Sequence, residues 1–154
     1  MLRGIPDCLS PELLKVLSEM GHGDTIVIAD AFYPSANLAK KADGILVRAD
    51  AVPATQLLDA ILQFFPLDES EAEPGCPPCP VMIMDLQDCD KGKVETPIWD
   101  EYKAIVRKWD KRGDDCVGMI DRFAFYEAAN TAYATIATGE KALYGCLILR
   151  KGCK

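Results

Sequence analysis

The chain has 154 residues, of which 49% are hydrophobic and 27% are charged, and its formal net charge is -7. This length suits one ordinary domain and is too short for two of typical size, so we expect a single domain over residues 1–154. The negative charge disfavours nucleic acid as a partner. No segment reaches the roughly 18 apolar residues of a membrane span, and the N-terminus lacks an apolar secretory stretch, so we expect a cytoplasmic protein without membrane contact.

The first predicted helix begins after Ser10, where a side-chain acceptor is followed by a proline and an acid. Apolar residues at helical spacing follow, and Gly21 ends the helix. The β-rich run Thr25–Ala29 is the first predicted strand, and Asp30 stands at its C-terminal end. A short loop therefore joins this helix to this strand.

The rest of the chain continues to alternate helices and strands. Further strands are predicted at 43–48, 81–86, 116–120, 132–137 and 143–149, and further helices at 53–65, 99–109 and 122–130. The acidic and proline-rich segment 68–80 is predicted to be an exposed loop. Because the strands are apolar on both faces, we expect an α/β fold, a three-layer α/β/α domain whose central sheet is covered by helices on both sides.

The seven cysteines are odd in number and irregular in spacing, which argues against a disulfide framework. Cys76 and Cys79 form a C-x-x-C pair, a spacing that serves redox chemistry or half of a zinc site. Since no second Cys pair or Cys/His pair completes such a site, we expect no metal. A thiol-based protein that uses this pair is a rival interpretation.

His22 is the only histidine and is flanked by two glycines in the loop before the first strand. An imidazole is suited to acid/base chemistry near neutral pH, although exposed loop histidines without such a role are common. Asp30 lies where open α/β sheets place ligand contacts. It could cap the next segment, bind a ligand hydroxyl or pair with His22, and the spacing favours none of these.

Two further groups combine charge with aromatic character. On a helix, Arg122 and Tyr126 share one face and could act together, although buried aromatics with solvated charges would explain the pattern equally well. Tyr144 and Gly145 are predicted to open the last strand after the turn TGEK. There the phenol could hydrogen-bond a ligand, and the glycine would let the ligand approach the backbone.

Five sequence blocks in order cover nearly the whole chain. They are SPELLKVLSEMGHGDTIVIADA at 10–31, ILVRAD at 45–50, QLLDAIL at 56–62, RFAFYE at 122–127 and TGEKALYGCLILRKG at 138–152. Together they resemble the RbsD/FucU family of sugar mutarotases, and specifically its fucose branch. The resemblance implies an RbsD-like fold with a mixed central sheet and an isomerase that interconverts the anomers of L-fucose or a related free monosaccharide. It also implies catalysis without a cofactor, in ring-shaped homo-decamers whose active sites lie at subunit interfaces.

The resemblance also implies roles for individual residues. His22 is the implied catalytic residue, and the implied substrate contacts are Asp30, Arg122, Tyr144, Gly145 and Cys146. Two residues depart from the family pattern: Cys146 stands where asparagine is usual, and Phe32 stands where bacterial fucose proteins commonly have histidine. The segment 69–79 is also longer than expected. A D-ribose pyranase, a mutarotase for another monosaccharide and a non-catalytic sugar-binding module are the alternatives.

Overall fold

The computed structural model of the chain describes residues 2–70 and 78–153, which form a six-stranded sheet with helices on both faces. The helices are α1 (Pro11–Glu19), α2 (Ser35–Lys41), α3 (Ala54–Leu62), α4 (Pro97–Trp109) and α5 (Arg122–Ala129). The strands are β1 (Thr25–Ala29), β2 (Ile45–Ala49), β3 (Val81–Met84), β4 (Val117–Ile120), β5 (Ala134–Thr138) and β6 (Leu147–Arg150). Within these ranges, no helix is long and apolar enough to cross a membrane.

The strands lie in the order β2-β5-β1-β6-β3-β4, and the sheet is mixed. β1 pairs in parallel with β5, β5 with β2, and β3 with β4, whereas β6 runs antiparallel between β1 and β3. Five strands therefore point in one direction. We call the edge where they end the carboxyl edge and the edge where they begin the amino edge; β6 starts at the carboxyl edge.

Each face of the sheet carries its own apolar cluster, because successive strand side chains point to opposite faces. In β1, Ile26 and Ile28 pack with α1, α3 and α4, while Val27 and Ala29 pack with α2 and α5. All four residues are fully buried. The three-layer α/β/α arrangement expected from the sequence is thus confirmed.

Side-chain caps explain where two of the helices begin. Ser10 Oγ accepts a hydrogen bond from the backbone N–H of Leu13 at 3.1 Å, as expected of an N-cap before α1. Asp121 does the same for α5, accepting from Phe123 and Ala124. Helix α2 escaped prediction because it has only seven residues, Pro34 precedes it, and no side chain caps it.

The last strand begins later than its sequence suggests. The β-rich run at 143–149 predicted a strand start near Tyr144, but β6 starts at Leu147. Tyr144 has φ +57°, a left-handed conformation incompatible with an extended strand. The residues before β6 therefore form a loop at the carboxyl edge.

The predicted exposed loop at 68–80 is exposed only in part. Asp68 and Pro80, at its two ends, are buried, whereas Glu69, Ser70 and Pro78 are exposed. Cys76 and the rest of the span 71–77 lie outside the described residues. The expectation of an exposed position is wrong for Asp68 because its carboxylate receives hydrogen bonds in the interior.

Gly139 provides a test of the packing at the carboxyl edge. A Cβ at this position would collide with the backbone carbonyl oxygen of Asp50. We expect Gly139→Ala to lower the free energy of unfolding by about 1–3 kcal/mol, the usual range for overpacking. Urea denaturation measures the change. Gly21→Ala is the control, since its Cβ would lie 3.7 Å from Asp24 Oδ2; equal stability of both variants would contradict the packing described here.

Candidate active site

A pocket of about 280 Å³ opens at the carboxyl edge, between the ends of β1 and β3 and the start of α5. Its polar wall consists of Asp30, Asp90, Arg122, Tyr126 and Tyr144. Its apolar wall consists of Phe32, Met84, Val94 and Leu143. The structure thus gathers the predicted residues Asp30, Arg122 and Tyr144 in one pocket, and that pocket has both a polar and an apolar side.

Asp30 is buried, and both of its carboxylate oxygens accept hydrogen bonds. The backbone N–H of Phe32 donates to Oδ1 at 3.0 Å, and the thiol of Cys146 donates to Oδ2 at 3.2 Å. The backbone N–H of Asp30 donates in turn to Cys146 Sγ at 3.3 Å. Asp30 therefore caps the following turn, which is one of its three open interpretations, and it also lines the pocket.

Cys146 has no exposed surface, and its thiol donates a hydrogen bond to the Asp30 carboxylate. Burial, together with the nearby Asp30 carboxylate, raises the pKa of Cys146 well above its ordinary value. The side chain therefore stays a neutral thiol at physiological pH. It fixes the orientation of Asp30.

Arg122 and Tyr126 lie on one face of α5, as their spacing predicts. Arg122 Nε donates to the Tyr126 hydroxyl at 3.1 Å, and Nη1 donates to Gln87 Oε1 at 3.1 Å. The hydrogen bond with Tyr126 raises the pKa of Arg122, so the guanidinium remains charged. The two phenylalanines of this helix differ in burial: Phe125 is fully buried, whereas Phe123 is exposed.

Tyr144 is held in its left-handed conformation by contacts from two directions. Trp99 Nε1 donates to its carbonyl oxygen at 3.0 Å, and its own hydroxyl donates to Asp90 Oδ2. Tyr102, which is fully buried in α4, donates its hydroxyl to the carbonyl of Gly145 at 2.7 Å. Helix α4 therefore positions the loop before β6.

Gly145 fills a space that leaves no room for a larger residue. A Cβ there would lie 3.0 Å from the Ala142 carbonyl oxygen and 3.2 Å from Glu140 Cγ. Its Cα also lies beside the side chain of Asp30, since that Cβ would be 3.5 Å from Asp30 Cβ. The glycine permits close packing of the loop against Asp30.

His22 lies at the amino edge, on the loop between α1 and β1. Its side chain is 51% exposed, and its Nε2 lies 3.1 Å from Asp68 Oδ1. To enter the pocket of its own chain, the His22 imidazole would have to reach the other end of β1. The five residues of β1 rise about 3.3 Å each, so about 16 Å separates the two edges.

One copy of the chain therefore does not bring His22 and Asp30 together. The hypothesis that Asp30 pairs with His22 is wrong within the chain, because Asp68 occupies that position. Sequence reasoning missed Asp68 because an acidic residue in a proline-rich segment is expected to be exposed to solvent. The one signal that could have found it is the segment 61–67, which is apolar except for Gln63 and continues directly into this acid.

Asp68 joins His22 to a buried charge network. Its Oδ2 accepts from Arg150 Nε at 2.8 Å, and Ser70 donates to the carboxylate through both its N–H and its hydroxyl. Burial alone would raise the pKa of Asp68, but hydrogen bonds from Ser70, His22 and Arg150 outweigh burial and hold that pKa well below its usual range. Asp68 is thus a fixed anion behind an exposed imidazole.

No group of three His, Cys, Asp or Glu side chains within residues 2–70 and 78–153 is arranged to hold a metal ion. Cys79, the described member of the predicted C-x-x-C pair, is half-buried and free. Cys8, Cys116 and Cys146 are also free, and they are at least partly buried.

The network around Asp68 predicts a pH-dependent contribution to stability. Removing one partner of a buried ion pair is costly, so Asp68→Asn should lower the free energy of unfolding by on the order of 3 kcal/mol at pH 7. The folded-state pKa of Asp68 is depressed. Its contribution is therefore complete above the unfolded-state value of about 4 and is lost as the pH falls towards the folded-state value.

Urea unfolding at pH 7 and pH 3 measures this effect, and the difference between wild type and variant should shrink at pH 3. The matched control is Asp114→Asn, which removes an exposed pair with Arg107. An exposed pair contributes only about 0–1 kcal/mol. Equal losses from the two variants would contradict a buried network.

The chain is similar to known proteins in both sequence and fold. The model of the RbsD / FucU transport protein family matches residues 3–154. The fucose mutarotase of Danio rerio is 44% identical over 153 residues, which cover 99% of this chain and 94% of the relative. The crystal structure of FucU from Bifidobacterium longum has a TM-score of 0.89 and 45% identity, with 99% of both chains covered.

A second solved structure, the fucose mutarotase from Streptococcus pneumoniae in complex with L-fucose, has a TM-score of 0.86 and 38% identity. It covers 99% of this chain and 99% of its own. The family match spans nearly every residue, and both the sequence and the fold agree with it over that length. The chain belongs to the RbsD/FucU family.

Proposed function

We propose that this protein is an L-fucose mutarotase, an isomerase that interconverts the α and β anomers of the free sugar. The observation that carries the proposal is the carboxyl-edge pocket, whose polar and apolar walls suit a deoxy sugar with hydroxyls and a methyl group. The fucose mutarotases to which the chain is similar match it over nearly its full length, and this supports the same substrate.

Mutarotation breaks and remakes the bond between the anomeric carbon and the ring oxygen. Opening requires a proton on the ring oxygen and the loss of the proton from the anomeric hydroxyl. The aldehyde then turns, and the ring closes on its other face. A site for this reaction needs an acid, a base and groups that hold the sugar while the aldehyde rotates.

The residues of the pocket are suited to holding the sugar. Asp30 retains acceptor capacity on both carboxylate oxygens for sugar hydroxyls, and Arg122 offers charged N–H donors. The backbone of Tyr144 and Gly145 lies beside Asp30, while Cys146 acts through Asp30 by fixing its carboxylate. Phe32, Met84, Val94 and Leu143 provide an apolar surface for the methyl group of L-fucose.

His22 is the proposed proton donor to the ring oxygen. Its Nε2 faces Asp68, so a ring protonated on both nitrogens donates its Nε2 proton to the carboxylate and has its Nδ1 proton to give to the sugar. Asp68 and Arg150 fix the ring orientation from behind. This arrangement keeps the reactive nitrogen directed away from the chain's own interior.

A second copy of the chain is needed to complete the site. His22 lies at the amino edge and the pocket at the carboxyl edge, so the histidine of one copy must enter the pocket of another. Phe32, Leu143 and Phe123 are large apolar residues, and all three are exposed near the pocket, where a neighbouring copy would cover them. A ring of copies, such as a decamer, would pair every amino edge with a carboxyl edge.

The free thiols of Cys89 and Cys153 are exposed and suit the reducing conditions of the cytoplasm, where we propose that the enzyme acts. The continuous sheet, which runs from β2 to β4, supports our expectation that the chain is one domain.

Replacing His22 tests the mutarotase proposal directly. A positioned acid/base group contributes roughly 100-fold to 10,000-fold, so His22→Ala should lose that much of the anomer exchange rate. NMR magnetisation exchange between the anomeric protons of L-fucose measures the rate, with D-ribose in parallel. The control Lys15→Ala changes an exposed residue of α1 and should leave the rate unchanged.

The outcomes separate the alternatives. Faster exchange with D-ribose than with L-fucose would make the protein a ribose enzyme. Binding of L-fucose without accelerated exchange would indicate a sugar-binding module. A His22→Ala rate equal to wild type would overturn the assignment of the histidine.

A mixing experiment tests whether two copies share the site. His22→Ala and Arg122→Ala should each be nearly inactive, but co-expressed chains would restore intact sites where one copy supplies His22 and its neighbour supplies Arg122. An equal mixture should recover about one quarter of the wild-type rate if neighbours assemble at random. The matched control combines Asp30→Asn with Arg122→Ala, which alter the same pocket and should recover nothing. Failure of the first mixture to recover activity, with mixed oligomers present, would contradict a shared site.

A further inference from the structure

The proposed mutarotase reaction needs a base for the anomeric hydroxyl, and the pocket contains two carboxylates that could serve. We propose that Asp90 is this base and that Tyr144 positions it. The inference rests on the proposed function but names a residue outside the sugar contacts described above.

Asp90 belongs to the segment between β3 and α4 and lines the same pocket as Asp30 and Arg122. The Tyr144 hydroxyl donates to its Oδ2, whereas no hydrogen bond from the described residues reaches Oδ1. Asp90 is only half-buried, so a ligand in the pocket can approach the unoccupied oxygen. Its carboxylate is thus held at one oxygen and available at the other.

The backbone around Asp90 is also held in place. Its carbonyl oxygen accepts from the N–H groups of Lys93 at 3.0 Å and Val94 at 3.1 Å, and its own N–H donates to Gln87 at 2.9 Å. The Gln87 N–H reaches the Tyr144 hydroxyl at 3.4 Å, which ties this turn to the loop before β6. Asp90 is therefore preorganised even though it lies in a segment without regular secondary structure.

Tyr144 acts as a donor in this pair. Burial, and then the hydrogen bond to Asp90, raises the pKa of Tyr144, so the phenol keeps its proton at neutral pH. A neutral phenol that donates to a carboxylate orients it without neutralising it. The strained backbone of Tyr144, with φ +57°, is consistent with a residue held for a functional purpose.

Asp30 is less suited to proton transfer. It is buried, and each of its oxygens already accepts a hydrogen bond from the chain. Those donors hold the Asp30 carboxylate in place to accept hydrogen bonds from sugar hydroxyls, whereas Asp90 has one oxygen that no donor from the described residues reaches. The two carboxylates thus divide recognition and proton transfer.

Protons and electrons balance in the ring-opening step. His22 of a neighbouring copy enters the step protonated on both ring nitrogens, and it gives its Nδ1 proton to the ring oxygen as the bond from that oxygen to the anomeric carbon breaks. The anomeric hydroxyl gives its proton to Asp90 Oδ1, and the electron pair of that O–H bond forms the aldehyde C=O. Closure on the opposite face returns both protons to their original partners, and no oxidant, reductant or further reactant is consumed.

The test compares Asp90→Asn with Asp88→Asn, using L-fucose anomer exchange at several sugar concentrations to separate kcat from KM. Asp88 is the matched control because it lies two residues away, pairs with Lys91 and is 96% exposed at its side chain. Asp90→Asn should lower kcat roughly 100-fold or more with a small change in KM, and Asp88→Asn should resemble wild type. Tyr144→Phe should lower kcat less than Asp90→Asn does.

Chemical rescue distinguishes a base from a structural residue. Added formate should partly restore kcat in Asp90→Ala, because it can occupy the space of the missing carboxylate, but it should not restore Asp90→Asn. Thermal melts verify that the variants fold. Asp90→Glu, which keeps a carboxylate at this position, replaces any variant that does not fold, and it should retain more activity than a variant without a carboxylate.

An Asp90→Asn enzyme with kcat within threefold of wild type would overturn the inference, as would a folded Asp90→Ala enzyme that formate does not rescue. In both cases wild type still exchanges the anomers, so the proposed function stands. Absence of exchange in wild type would instead overturn the proposed function itself.

Discussion

Strand β1 sets the distance on which the rest of the site depends. It is hydrogen-bonded to β5 on one side and β6 on the other, and Ile26 through Ala29 are fully buried. A strand confined in this way can neither bend nor slide, so the residues before and after it stay about 16 Å apart. His22 and Asp30 are therefore fixed at opposite edges of the sheet, and any chemistry that uses both must join two copies of the chain.

Each edge carries a buried carboxylate with its own set of donors. At the amino edge, Arg150 and Ser70 hold Asp68, which in turn orients an exposed imidazole. At the carboxyl edge, Cys146 and the Phe32 N–H hold Asp30 inside the pocket. Both acids are costly to bury, and hydrogen bonds offset that cost in each case. The hydrogen bonds that hold the carboxylate at each edge suit a site assembled from two rigid halves.

The pocket is supported from across the sheet as well as from its own side. Trp99 and Tyr102 belong to α4, which packs on the face opposite α5, yet their polar groups reach the carbonyls of Tyr144 and Gly145. Arg122, on α5, reaches the same pocket from the other face. The loop before β6 thus lies where both helical layers meet the sheet edge, which explains how a backbone with a left-handed tyrosine is kept in one conformation.

Much of this protein is determined by local sequence. Apolar periodicity placed the core strands and all helices but α2, and the N-caps Ser10 and Asp121 lie where their chemistry requires. The grouping of Asp30, Arg122 and Tyr144 came from five sequence blocks resembling one family, and the pocket contains all three. Only the tertiary structure decided that Asp68 is buried beside His22 and that Cys146 bonds to Asp30. It alone also showed that Tyr144 leaves the strand, and that His22 stands apart from the pocket. Those four features depend on residues distant in the chain, and a pattern read along one segment carries no information about the charge or the space that another segment supplies.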